Sequence, residues 1–303
     1  MRKFIRTSGW IILFLIIYFF AQLIVSTSFG FFYGFRMGLD SAMNKTELDQ
    51  TVVAQRVQQF VTESLGTILI IAAVIAFLFY FIIIRLRNEK ISDYCVFKRI
   101  SLQNVLLCIL MGIGFSIAIG YILNLLNNVE GLRQAFDKYN ELTGNLMNAG
   151  FLSMLLSVGI LIPIFEEILF RGFIFTKLKN AMRIGLAVVL QAVVFGVYHI
   201  NLIQAAYAAI LGVIFAVVYI RTGSIISSML IHIALNTTSV FIAKTSLGTL
   251  LENNALLFAI LSVFLSVAPF AVFMKISAHK DEVMEATGTN AIQGAGADVP
   301  IEE

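Results

Sequence analysis

An all-α, polytopic membrane bundle of about eight transmembrane helices is the fold class that this sequence predicts, and three observations predict it. The 303 residues are 59% hydrophobic and only 13% charged, against about 25% charged in a soluble domain. Mean hydropathy is +0.91. Apolar runs such as Trp10–Val25 and Leu65–Ile84 approach or reach the ~20 residues that cross a bilayer. Water-soluble globular classes are thereby excluded, and the lipid bilayer is the first partner. The net charge of +3 asks for no nucleic-acid partner. Cys95 and Cys108 form neither a metal spacing nor a disulfide framework.

The elements follow from the apolar runs in order. The basic start Met1–Arg6 leads into Trp10–Val25 without a small-residue cleavage site, so this run reads as an uncleaved first helix. Residues 27–64 read as a mixed polar loop, with a short amphipathic helix over Val52–Thr62. Helix two is 65–84, and 85–100 is a basic loop. Helix three is 101–126, and 127–148 is a polar loop with both signs of charge. Helix four, 150–179, is long for one span and contains Pro163. This proline frees the carbonyl four residues back, at Gly159, and predicts a kink. Helices five to eight are 183–200, 203–221, 224–243 and 254–275. The chain thus divides into three N-terminal spans with their loops (1–149), a core of helices four to seven (150–243), a last span (244–276) and a tail (277–303). The tail is polar and rich in Gly, Ala and acidic residues, and is expected to be disordered.

Eight spans put both termini on one side. The lysines and arginines test this: fourteen fall on the side of the termini and six on the other, with Arg171 left inside a span. The positive-inside rule then places both termini in the cytoplasm. Basic loops of this kind suit a bacterial plasma-membrane protein.

The functional signal is Ile162-Pro-Ile-Phe-Glu-Glu-Ile-Leu-Phe-Arg-Gly172, where two carboxylates and an arginine interrupt an apolar run. Ionisable groups at bilayer depth are costly and usually face a bundle interior or a water-filled cavity. The bland reading is a buried ion pair that locks helices together. His199 and His232 also lie inside apolar helices. A rise of about 1.5 Å per residue puts Glu166, His199, His232 and Asn236 at compatible depths. Three pairs share a helix face at i,i+4: Glu167 with Arg171, Phe195 with His199, and His232 with Asn236. Gln191 extends the second stripe by a turn. Glu166 and Glu167 point about 100° apart. Pairing Glu167 with Arg171 therefore leaves Glu166 free to face the histidines.

A glutamate in a dry pocket gains general-base strength. Glu166 is thus the candidate base for water, His199 its orienting partner, and His232 with Asn236 the donors to an oxyanion. Phe195 would wall the site. This suits peptide-bond hydrolysis, and no serine or cysteine claims the role of nucleophile. The same residues permit a metalloprotease reading, with Glu166, His199 and His232 holding a divalent metal such as zinc and water in the fourth position. There is no H-E-x-x-H helix, and spacing across three helices leaves both mechanisms open.

Glu166-Glu167-x-x-x-Arg171, Phe195-x-x-x-His199 and His232-x-x-x-Asn236, intact and in order over roughly residues 150–240, resemble the three motifs of the CPBP family. That family comprises type II CAAX prenyl endopeptidases and bacteriocin-processing or self-immunity proteins. The resemblance implies an intramembrane endopeptidase with Glu166 as its catalytic glutamate and His199, His232 and Asn236 completing the site. It has been described with and without a metal, so the metal stays open. Prenyl substrates are not expected in a bacterium; a peptide, a bacteriocin-like precursor or a membrane protein is. The alternative is a non-catalytic bacteriocin-immunity or membrane scaffold protein. A transporter or proton relay comes last, because no internal repeat is found and Pro163 is taken as the only proline that breaks a span.

Overall fold

The computed structural model describes residues 2–45, 49–147 and 149–286. Among them the chain forms eleven helices and no strand. In order these are α1 (Arg2–Asn44), α2 (Gln50–Glu63), α3 (Leu65–Leu86), α4 (Leu102–Leu126), α5 (Arg133–Met147), α6 (Phe151–Lys179), α7 (Ile184–Tyr198), α8 (Leu202–Thr222), α9 (Ile225–Lys244), α10 (Leu247–Asn253) and α11 (Ala255–Ala286). In lipid only a helix can satisfy all its own backbone groups, so the apolar runs fold this way. Seven helices are long and apolar enough to cross a membrane. The eighth expected span, α7, has 15 residues. It is about 22 Å long, short of a ~30 Å hydrocarbon core.

Three loop expectations are corrected. Residues 27–44 are not loop but the continuation of α1, which is 43 residues long. The glycines that read as loop are where a second helix lies close. A Cβ on Gly30 or Gly34 would meet Val57 of α2 at 3.4 and 3.6 Å, and Tyr33 stacks on Phe60 at 4.3 Å. The expected amphipathic helix is α2, started by Asp49, whose carboxylate accepts the Thr51 N–H. The polar stretch 127–148 contains α5. Phe136 is buried and packs edge-on to Tyr139, while Asp137 and Glu141 face out, so mixed charge concealed a narrow apolar face. Finally, α11 continues to Ala286, beyond the expected end of the last span; residues 287–303 of the expected tail lie outside the described residues. Pro269 sits inside α11, so Pro163 is not the only proline in a span.

The bundle has two large packed regions, besides a small one at Ala149, Met154 and Val240. One large region joins α1, α3, α6 and α7 through Phe14, Tyr18, Tyr80, Phe165, Phe173 and Phe195. The other joins α4, α8, α9 and α11 through Cys108, Met111, Phe215, Leu235 and Phe273. Helix α4 lies between α9 and α11. A Cβ on Gly112 would come within 2.5 Å of the Ile231 carbonyl, so only glycine permits that approach. Leu78, Phe79, Phe264 and similar side chains are exposed on the outside, where lipid would meet them.

Loops of one set gather at one end. The Ser224 hydroxyl donates to the Lys98 carbonyl at 2.6 Å, the Ile225 N–H to Val96 at 2.9 Å, and Thr176 to Tyr94 at 3.2 Å. At the other end Lys244 donates to the Ala149 carbonyl at 2.7 Å. This is the alternation of ends that eight runs joined by seven reversals of direction require. Helix α7 still runs one way and α8 back, although α7 is short.

Candidate active site

Helix α6 carries the ionisable residues, and it is not uniform. Leu155–Leu161 and Ile168–Ile174 are π-helical, and Ile162–Glu167 between them is α-helical. Such π segments are often found at functional sites. The Ile162 N–H donates five residues back, to Ser157. In that register the next donor, owed to Val158, would be Pro163, which has no N–H. In the ordinary register Gly159 would be deprived, as the sequence suggested. Helix α9 serves both carbonyls. Asn236 Nδ2 donates to Val158 at 3.0 Å and Thr237 Oγ1 to Gly159 at 3.2 Å.

One turn beyond Pro163, Glu166 and Glu167 diverge as expected. Glu167 and Arg171 are fully buried and pair at 3.0 Å. The guanidinium lies 4.6 Å from the Phe195 ring centroid and 5.1 Å from that of Phe215. It also donates to the Gly212 carbonyl at 3.3 Å, which takes a second bond from Gln191 at 2.8 Å. Gly212 can offer this carbonyl because α7 and α8 touch there: a Cβ on Gly212 would lie 3.0 Å from Ala192 Cα.

Glu167 does more than neutralise Arg171. Its Oε1 also meets His232 Nδ1 at 2.9 Å. A carboxylate accepts, so Nδ1 carries the proton and the other ring nitrogen is left available. That nitrogen, Nε2, stands 3.6 Å from Glu166 Oε2. This exceeds a hydrogen bond. Glu166 makes no hydrogen bond to any described residue.

Phe195 has its ring centroid 5.0 Å from His199, 5.9 Å from His232 and 4.8 Å from Phe170. His199 is not brought onto Glu166. It closes α7, with Nδ1 at 2.8 Å from the Phe195 carbonyl of its own last turn. Among the described residues no three His, Cys, Asp or Glu side chains are grouped to hold a metal ion. Glu166, His199 and His232 do not fit a zinc site in this arrangement.

Sequence reasoning did not find Thr237, Phe215, Gly212 or Tyr18. Thr237 had a signal, since a carbonyl freed by Pro163 needs a donor from a neighbour. Tyr18 had none: it comes from α1, with its ring 4.5 Å from Phe165 and 5.8 Å from Tyr198, close enough to Glu166 to feel its charge.

A model of the family described as Type II CAAX prenyl endopeptidase Rce1-like matches residues 148–238. That match supports the resemblance of this segment to the CPBP family. The CPBP segment spans α6, α7, α8 and most of α9, and so contains all three motifs. A protein of Bacillus subtilis (strain 168) described as "Putative membrane peptidase YdiL" is 30% identical over 102 residues, which cover 34% of this chain and 42% of that protein. The match thus spans less than half the length of this curated relative. No solved structure matches the chain. Helices α1 to α5, α10 and α11 lie outside the CPBP segment, and Tyr18 reaches the site from α1.

Proposed function

We propose that this protein is an intramembrane endopeptidase that hydrolyses a peptide bond with water activated by Glu166. One observation carries the reading. Glu166 has no cation of its own and faces His232, whose far nitrogen is held by Glu167, itself paired with Arg171. A water or substrate atom between Glu166 and His232 would be within reach of both.

In this mechanism Glu166 takes a proton from water as the oxygen adds to the scissile carbonyl carbon. The carbonyl π electrons move onto the oxygen, and the second amide N–H of Asn236 is the candidate donor to it, while His232 Nε2, whose ring proton is on Nδ1, accepts from the attacking water. Collapse reforms the carbonyl and breaks the C–N bond. Glu166 returns its proton to the leaving amine. Phe195 and Phe215 keep water from the Glu167–Arg171 pair, so the pair stays intact while Glu166 cycles. His199 would act at the rim of the site after leaving the Phe195 carbonyl. No step is routed through a metal, because the candidate donors do not converge as ligands.

The substrate class is a peptide, a bacteriocin-like precursor or a membrane protein. The location is a bacterial plasma membrane, with both termini cytoplasmic. The basic loops support that orientation, as does the gathering of residues 94–98 with Thr176 and Ser224 at one end.

The test compares protein and peptide termini in cells carrying the wild type, Glu166→Gln at equal abundance, and a deletion. New termini that depend on Glu166 support the protease and deliver its substrates. The scaffold or immunity reading draws on the Glu167–Arg171–His232 network, which ties α6 to α9 whether or not chemistry occurs. It takes over if Glu166→Gln matches wild type in termini and restores what the deletion loses.

A further inference from the structure

At the end of the bundle that carries the basic loops, a cluster outside the CPBP site has more cation than its neighbours use. Trp10 opens the apolar run of α1. The Arg87 guanidinium lies 4.7 Å from its ring centroid and the Lys177 ammonium 5.3 Å. Lys177 is also 4.8 Å from the Tyr94 ring. The carboxylate within reach of both cations, Glu89, is already engaged, and Asp93, whose charge acts on Tyr94, accepts the Lys90 N–H at 2.8 Å. Glu89 accepts Arg87 Nε and Nη2 at 3.1 and 3.0 Å, and the Tyr94 hydroxyl. Its distance to Lys177 is 3.8 Å, beyond a hydrogen bond.

Lys177 therefore presents three N–H donors and no acceptor among the described residues, on a side chain only 18% exposed. Arg6, one turn before Trp10, is close enough to repel it. Arg6, Arg87 and Lys177 thus gather around Glu89, with Asp93 held by the Lys90 N–H at the edge of the cluster. They do so beside a tryptophan at the start of a span, the level at which lipid headgroups lie. Lys177 belongs to the same helix as Glu166, eleven residues on or about 16 Å.

We propose that Trp10, Arg87, Tyr94 and Lys177 bind the phosphate of an anionic phospholipid. The phosphate oxygens accept from Lys177 and from Arg87 Nη1, which Glu89 leaves free. The Trp10 ring lies against the glycerol and the first methylenes. Occupancy would pin α1 and the 87–94 loop to the end of α6, and so stiffen the helix that carries Glu166.

Trp10 is the only tryptophan in the chain, which makes the site its own reporter. The full-length protein is reconstituted in phosphatidylcholine containing increasing fractions of brominated phosphatidylglycerol, and quenching of Trp10 fluorescence is followed. The expected result is quenching above that set by mole fraction, a preference of at least fivefold, since each basic residue near an anionic surface contributes roughly a factor of five. Lys177→Gln should lower the preference about fivefold, and Lys177→Gln with Arg87→Gln should remove it. Lys177→Arg and Arg56→Gln, the latter at the other end of the bundle, should keep it. Equal quenching by brominated phosphatidylcholine would overturn the proposal, as would a double variant that behaves as wild type. Loss of the excess quenching to millimolar glycerol phosphate would assign the site to free phosphate and overturn the lipid. Glu166→Gln should quench as wild type, so the outcome stands whether or not the protease reading does.

Discussion

Glu166 and Glu167 are adjacent in sequence but have different surroundings, and single substitutions should separate their roles. Glu166→Gln keeps the shape of the side chain and removes the base; cleavage should fall at least 100-fold, with abundance unchanged by immunoblot. Arg171→Ala strands a fully buried carboxylate. It should cost about 3–5 kcal/mol and appear as lost folded protein in detergent; normal abundance and activity would sink the Glu167–Arg171 assignment. Glu89, outside the spans, offers a pH test. Partial burial alone would raise its carboxyl. Hydrogen bonds from Arg87 and Tyr94 and the charge of Lys177 outweigh this and hold it below its ordinary value of 4.5. A carboxyl depressed on folding stabilises fully above its unfolded pKa, and that contribution is lost as pH falls through the folded one. The melting temperature of wild type should therefore exceed that of Glu89→Gln near neutrality, and the gap should shrink as pH falls below 4.5 and through the lower folded pKa.

At the scale of elements, Pro163 deprives one span of a donor and the neighbouring helix supplies it. Thr237→Val leaves the Gly159 carbonyl without its side-chain partner. It should cost about 1 kcal/mol, because polar contacts in membranes are individually modest; the thermal midpoint in detergent reads this. The turn between α7 and α8 is a different case. Ile200 adopts φ 59° and is 85% exposed. A β-branched residue pays for that conformation, which glycine adopts freely. Ile200→Gly should therefore stabilise the protein by about 1 kcal/mol. Its turn lies directly after His199. A change in cleavage at unchanged stability would instead show that the strained turn serves the position of that imidazole.

For the whole molecule, the arrangement of ends makes a labelling prediction. Cysteines placed at Lys90 or Lys98 should react with an impermeant maleimide only after the cytoplasmic face is opened, and one at Lys138 without such treatment. The native Cys95 and Cys108 are buried and should stay silent. Reaction from the opposite sides would reverse the proposed orientation. The shortness of α7 does not alter the count, because orientation follows reversals of direction and not the completeness of each crossing.

Composition and apolar runs alone determined the membrane bundle, the long spans and the two faces of the Glu166–Glu167 pair. All of these depend on local period and on the cost of leaving water. They did not reveal that α1 continues past its apolar run or that 133–147 is helical, because glycines and charges there read as loop until α2 and α8 pack on them. Three further features needed the tertiary structure: Glu167 reaching His232, Asn236 serving the Val158 carbonyl, and His199 held on its own helix end. Spacing fixes which side chains share a helix face. Which partner each one meets depends on how helices far apart in sequence cross, and here glycines at the crossings set how closely they approach.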